Sequence, residues 1–152
     1  MIWITGDTHG EVSRLEEIQA QYQLTESDML VVAGDFGCVF NLGPRDEQKL
    51  DRLEALPYVV LFVDGNHECF PKLRAYPEER WNGGRVHRLR RNVLHLMRGQ
   101  VYDLQGVSVF TMGGGYSLDA ALRVPGRRRR YPAKRNTQKP WITCKSTGTG
   151  LM

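Results

Sequence analysis

Short apolar segments, each followed by a glycine turn, organise the first half of the sequence. Met1 to Thr5, Met29 to Ala33 and Tyr58 to Val63 are apolar, β-prone runs. Between them, Glu11 to Tyr22 and Arg45 to Leu56 place apolar residues on one helical face. This order predicts strands that alternate with helices. Because strands that are apolar throughout are typical of sheets covered on both faces, we expect an α/β architecture.

The pattern changes after the third apolar run. Leu73 to Arg91 is rich in arginine, which favours a short helix followed by an irregular connection. Three close-set runs then predict the antiparallel strands of a meander: Val93 to Met97, Gln100 to Leu104 and Val107 to Met112. A triple glycine leads from the last of these to Tyr116 to Arg123, for which we predict a short helix or a loop.

Length and composition fit one globular domain. The chain has 152 residues, of which 41% are hydrophobic and 25% are charged. Its apolar runs are far shorter than the roughly 20 residues that span a bilayer, and the N-terminus lacks a secretory signal pattern. We therefore expect a cytoplasmic protein without a membrane partner. Cys38, Cys69 and Cys144 form no CxxC pair and are predicted to be free thiols.

Charge divides the chain at about residue 126. Residues 1–126 carry 13 basic and all 17 acidic side chains, whereas residues 127–152 carry 8 basic and no acidic side chains. We therefore predict a main domain over residues 1–126 and a basic tail over residues 127–152. Tyr131 and Trp141, set among basic residues, would suit a nucleic-acid-binding arm, and a disordered tail is the alternative.

Three glycine-flanked turns carry the polar residues that suggest chemistry. They are Gly6-Asp7-Thr8-His9-Gly10, Gly34-Asp35-Phe36-Gly37 and Gly65-Asn66-His67-Glu68. In α/β sheets, ligands gather beyond the carboxyl ends of the strands, and glycines allow sharp turns and close approach. Carboxylate, imidazole and amide groups are ligands for Mn²⁺, Fe, Zn²⁺ or Mg²⁺. Asp7 and His9, two apart on an extended segment, are predicted to face the same side and to share one ion.

A single Gly-Asp pair at a strand end also suits an aspartate that caps the next helix, but three such turns in this order are far more specific. With them, about residues 1–119 resemble the calcineurin-like metallophosphoesterases of the bacterial or phage type. The stretches RNVLHLMRGQVYDL and VFTMGGGYSLD add to the resemblance. It implies a β-sandwich flanked by helices and an enzyme that hydrolyses phosphate esters with two divalent metal ions.

The resemblance also implies residue roles. Asp7 and His9 would hold one ion, Asp35 would bridge both ions, and Asn66 would hold the second. A metal-bridging hydroxide would be the nucleophile, because two ions lower the pKa of the bound water and stabilise charge on the phosphoryl group. His67 would be catalytic, as a general acid or an electrostatic stabiliser near the leaving group.

Two further assignments are less specific. Glu68 would support the site by orienting His67, and a surface residue at a turn is the alternative. His87 and His95 lie outside any matching motif. We expect His95, between two leucines on a strand, to face solvent.

The last third of the sequence departs from the family pattern. Family members complete the site with a later histidine and a GHxH pair, whereas no histidine follows His95 here. The second ion would then keep only Asp35 and Asn66 as ligands. The resemblance therefore implies the first half of a metal site, but it does not imply that this chain is catalytically active. One hypothesis is a reading-frame slip that leaves the C-terminal half of the fold missing. From Arg129 onward, the neighbouring frame can encode an acidic amphipathic helix.

The leading interpretation is a metallophosphoesterase or its N-terminal part, with phosphoproteins, nucleotides and phosphodiesters all open as substrates. The alternatives are a non-catalytic nucleic-acid-binding protein that uses the tail and an inactive metal-binding remnant. No P-loop or dinucleotide-binding glycine motif is present, which excludes nucleotide sites of those kinds.

Overall fold

The computed structural model describes residues 1–40, 43–114 and 141–146, and the last segment is described by its backbone alone. Strands and helices alternate in the first part of the chain, as predicted. They are β1 (Ile2–Thr5), α1 (Val12–Tyr22), β2 (Met29–Ala33), α2 (Pro44–Glu54) and β3 (Val59–Val63). None of the helices in this described part of the chain is long and apolar enough to cross a membrane.

The second part of the chain consists mainly of strands. The elements are α3 (Phe70–Leu73), β4 (Glu78–Trp81), β5 (Gly84–Arg90), β6 (Val93–Leu96), β7 (Gln100–Leu104), β8 (Val107–Met112) and β9 (Trp141–Ser146). The predicted irregular connection before β6 was wrong. Asn82 and Gly83 take positive φ angles of 46° and 92°, the conformation of a tight hairpin turn, and they join β4 to β5.

Two sheets divide these strands. The larger has the order β1-β2-β3-β6-β5-β4, in which β1, β2, β3 and β6 run parallel and β5 and β4 pair antiparallel. The smaller has the order β7-β8-β9. The antiparallel pairing of β7 with β8 confirms the predicted hairpin, but the placing of β6 in the same meander was wrong. All four residues of β6 are buried, which suits a strand inside a covered sheet.

Both faces of the larger sheet are covered. One face packs against α1 and α2, which bury Leu15, Leu50 and Leu53. The other face packs against the smaller sheet, where Leu61 and Tyr102 belong to one buried cluster. Full burial of such a side chain stabilises the fold by roughly 1.5 to 3 kcal/mol. The predicted α/β fold, a sandwich of sheets flanked by helices, is therefore confirmed.

β9 lies inside the segment predicted as a basic tail. Its backbone pairs antiparallel with β8, from Val107 opposite Ser146 to Met112 opposite Trp141. The predicted helix or loop at 116–123 and the rest of residues 127–152 lie outside the described residues. Of the three cysteines, Cys38 and Cys69 are free, as predicted, and both are buried.

Candidate metal centre

The three polar turns meet at one edge of the larger sheet. Because β1, β2 and β3 are parallel neighbours, their carboxyl ends lie side by side. Backbone hydrogen bonds join the first two turns directly. The N–H of His9 donates to the carbonyl of Asp35 at 2.8 Å, and the N–H of Gly10 donates to the carbonyl of Phe36 at 2.8 Å. The candidate ligands of these two turns are therefore held together by main chain.

The backbone of these turns is left-handed at the candidate ligands. Asp7, His9 and Asp35 have φ angles of 46°, 47° and 44°. The prediction that Asp7 and His9 lie on an extended segment was wrong. Residues with a side chain reach this conformation at a cost of about 1 kcal/mol or more, and such strain concentrates at functional sites. The hydrogen bonds between the turns offset that cost.

Glycines allow the turns to approach this closely. A Cβ atom on Gly37 would collide with the backbone of His9, and a Cβ atom on Gly65 would collide with the carboxylate of Asp35. Gly37 also has a φ angle of 72°, which other residues rarely adopt. These two positions explain why glycine occurs in the second and third turns.

His9, Asp35 and His67 form a candidate metal-binding group among the described residues. One ligand atom from each, an imidazole nitrogen or a carboxylate oxygen, lies within 4.8 Å of the other two. His9 is exposed, and the other two are half-buried, so the group is open to solvent on one side. The rings of His9 and His67 meet edge to face at 5.1 Å, and Phe40 flanks His67 at 5.9 Å. This donor set fits a divalent transition-metal ion.

The carboxylate of Asp35 also anchors the third turn. Its Oδ1 atom accepts hydrogen bonds from the N–H groups of Asn66 and His67, at 2.9 Å and 3.1 Å. Asn66 is thus brought to Asp35 through its backbone. Asp7 is exposed and stands outside the group of three, and its carbonyl accepts a hydrogen bond from Arg14 at 3.0 Å. Of the predicted site residues, His9, Asp35 and His67 therefore have the ligand atoms that form one close group.

Glu68 links the second and third turns through hydrogen bonds to both. It is fully buried, so the surface alternative was wrong, and its carboxylate accepts hydrogen bonds from the N–H groups of Gly37 at 3.0 Å and Gly65 at 2.5 Å. Burial raises the pKa of Glu68 to about 8, against the effect of these two hydrogen bonds. Glu68 holds the loops that carry the candidate ligands, whereas its predicted effect on the ring of His67 remains a prediction.

Sequence reasoning missed a set of buried polar residues behind the third turn. His87 and His95 are only 3% and 5% exposed, so the prediction that His95 faces solvent was wrong. Each ring is accepted in the core because it has a polar partner there. Asp64, the residue before Gly65, is also buried, and hydrogen bonds from His95 and Arg98 hold its pKa below the usual range even though burial opposes this. The sequence signal that could have revealed these buried polar residues is the aspartate directly before the third turn, at the end of an apolar strand.

Comparison with known protein families gives a match that covers most of the chain. A model of the calcineurin-like phosphoesterase family matches residues 1–147. The match runs past the domain boundary predicted at residue 126 and includes β9. No curated protein and no solved structure matches the chain.

Proposed function

We propose that this chain, which belongs to the calcineurin-like phosphoesterase family, hydrolyses phosphate esters with the help of divalent metal ions. The observation that carries the proposal is the group of His9, Asp35 and His67, with ligand atoms within 4.8 Å of one another at the ends of parallel strands. A bound divalent ion would lower the pKa of a water ligand and neutralise charge on the phosphoryl group. Phosphoproteins, nucleotides and phosphodiesters are all within this substrate class.

The first ion is proposed to bind Asp7, His9 and Asp35, and the second Asp35 and Asn66. Support for the first comes from the short separation of His9 and Asp35 and from the position of Asp7 in the same turn as His9. Support for the second comes from the hydrogen bond between Asn66 and Asp35. Because the first site has more protein ligands, we expect it to bind Mn²⁺ more tightly than the second.

His67 is proposed to donate a proton to the leaving oxygen or to stabilise its charge. Its position is restricted by the hydrogen bond from its N–H to Asp35 and by the rings of His9 and Phe40. Its nitrogen also lies within ligand distance of His9 and Asp35, so metal ligation is the competing role. Metal affinity separates the two roles, since only a ligand contributes to it directly.

The test measures Mn²⁺ binding by calorimetry and hydrolysis of an aryl phosphate monoester and an aryl phosphodiester. The variant Asp35→Asn should weaken Mn²⁺ binding and abolish hydrolysis. Asp51→Asn, the same change at an exposed position on α2, should alter neither. His67→Gln should keep metal binding and lower kcat by about 10² to 10⁴-fold.

Three results would contradict the proposal. They are hydrolysis that does not depend on metal, wild-type protein that fails to bind Mn²⁺, and an Asp35→Asn variant that binds Mn²⁺ like wild type. A large loss of Mn²⁺ affinity in His67→Gln would instead assign His67 to the ligands.

A further inference from the structure

A chain of polar side chains runs through the helix-covered side of the larger sheet to the start of the third turn. It consists of His87 on β5, His95 on β6, Asp64 directly after β3 and Arg98 shortly after β6. The two Nδ1 atoms of the histidines lie 3.0 Å apart, and Nε2 of His95 lies 3.1 Å from Oδ1 of Asp64. Arg98 Nε donates to Oδ2 of Asp64 at 2.7 Å. The stacked ring of Phe62 covers His95 at 5.0 Å.

The chemistry of these contacts determines which group donates and which accepts in each hydrogen bond. A carboxylate only accepts hydrogen bonds, so Nε2–H of His95 donates to Asp64. The contact between the two Nδ1 atoms needs one N–H and one lone pair, so in neutral rings His87 donates and His95 accepts. Burial, followed by the neighbouring His95, lowers the pKa of His87, which favours its neutral form. In this arrangement His87 donates to His95, and His95 in turn donates to Asp64.

His87, the member of this polar network farthest from Asp64, makes fewer hydrogen bonds. Nε2 of His87 is buried and has no hydrogen-bond partner among the described residues. It lies 3.7 Å from Oε1 of Glu78 on the edge strand β4. The bonds of His87 and His95 therefore point inward, toward Asp64 and the metal centre.

Asp64 is fixed on several sides at the point where the third turn begins. Besides His95 and Arg98, its carbonyl accepts a hydrogen bond from the N–H of Gly114 at 2.8 Å. A Cβ atom on Gly113 would collide with the Asp64 carboxylate, so the backbone directly after β8 also packs against it. The next residues along the chain are Gly65, Asn66 and His67. Asp64 is therefore held in place at the point where the third turn leaves the sheet.

We propose that His95, together with Arg98, is a positioning residue for the metal centre, which acts by holding Asp64 so that the N–H groups of Asn66 and His67 meet the carboxylate of Asp35. The inference rests on the proposed function in that Asn66 and His67 serve the metal centre. Residues that hold a metal-binding shell in place typically change metal affinity or activity 10 to 100-fold when they are replaced. β6 and the residues directly after it thereby contribute to a site whose ligands all follow β1, β2 and β3.

The first experiment needs no metal. Amide hydrogen exchange, followed by NMR on the full chain, reports how firmly the N–H groups of Asn66 and His67 are held. His95→Phe keeps an aromatic ring in the stack but removes both hydrogen bonds, and we expect it to speed exchange at these two amides at least about tenfold. His95→Gln can still donate to Asp64 and should return exchange toward the wild-type rate.

Two further variants protect this test against a general loss of stability. Arg98→Met removes the donors to Asp64 at a partly exposed position while keeping an unbranched side chain, and it should speed exchange in the same way. Leu94→Ala, on the opposite face of β6, removes core packing without touching the polar chain. It should not single out Asn66 and His67 when amides of α1 serve as the reference for global opening.

The second experiment is titration with Mn²⁺. His95→Phe and Arg98→Met should weaken binding about 10 to 100-fold, and His95→Gln by much less. Exchange within twofold of wild type in both His95→Phe and Arg98→Met would overturn the inference, as would an equal effect of Leu94→Ala. Failure of the wild-type protein to bind Mn²⁺ would contradict the proposed function, and the exchange rates alone would then decide whether His95 positions the turn.

Discussion

Replacement of Gly65 by alanine would put a methyl group into space that the Asp35 carboxylate occupies. The new Cβ atom would collide with both Oδ1 and the backbone nitrogen of Asp35. Because one of these atoms belongs to the backbone, side-chain rotation alone cannot remove the clash. The third turn must therefore move away from the second. That movement breaks the hydrogen bonds from Asn66 and His67 to Asp35.

The magnitude follows from these bonds. Each is a hydrogen bond to a charged group, worth about 1.5 to 3 kcal/mol, so losing two costs roughly 3 to 6 kcal/mol before relaxation. For a chain of this size, each kcal/mol lowers Tm by about 2 to 4 °C, so we expect a drop of about 10 °C. Mn²⁺ affinity should fall at least about 100-fold, because the cluster of His9, Asp35 and His67 is pulled apart.

Gly6→Ala is the matched control. Gly6 also lies just after a strand at the metal centre, but a Cβ atom there would meet only the carbonyl oxygen of Ala33, at 3.7 Å, an ordinary contact. Thermal unfolding and Mn²⁺ titration of both variants should separate them clearly, with Gly6→Ala close to wild type. If Gly65→Ala unfolds within about 0.5 kcal/mol of Gly6→Ala and binds Mn²⁺ equally well, the argument from close approach is refuted.

Three other predictions concern stability and reactivity. Asn92→Ala should lower the free energy of unfolding by roughly 2 to 3 kcal/mol in a urea titration, because the two N–H donors of its side-chain amide are shared among three backbone carbonyls between the end of α2 and the start of β3; an unchanged midpoint would contradict this. Asp28 has its pKa lowered to about 2, chiefly by its hydrogen bond with the amino terminus of Met1. Its stabilising effect should be complete above pH 4 and disappear as the pH falls through 2, and Asp28→Asn should remove that part of the acid dependence. Burial raises the pKa of the Cys38 thiol to about 12, and Cys69 is buried too, so neither should react with an alkylating agent at pH 7 until the protein unfolds; rapid labelling of either thiol in the folded state would count against the burial.

Local sequence patterns were sufficient for the first half of the fold. β2 was predicted with its exact bounds, because five consecutive apolar residues between polar turns leave little choice. The grouping of the turns followed from the same reasoning, since parallel strands place their carboxyl ends at one edge. That His9 and Asp35 would share an ion was implied only by the resemblance to the family.

Strand partners in the second half were beyond such reasoning. The sequence of β6 is a short apolar run that would suit either sheet. Its position was decided by its pairing with β3, which depends on residues far apart in the sequence. The Asn82-Gly83 hairpin was a local signal that the arginine-rich composition obscured. The burial of His95 followed from its placement beside Phe62, a contact between residues far apart in the chain.

The sequence by itself determined which residues could bind metal, because residue type and glycine-flanked turns are local properties. Tertiary structure decided how those residues are held. The left-handed backbone at Asp7, His9 and Asp35 is held in place by hydrogen bonds between the turns. The support of Asp64 by His95 arises because β6 inserts beside β3, a long-range pairing whose free energy depends on the whole core.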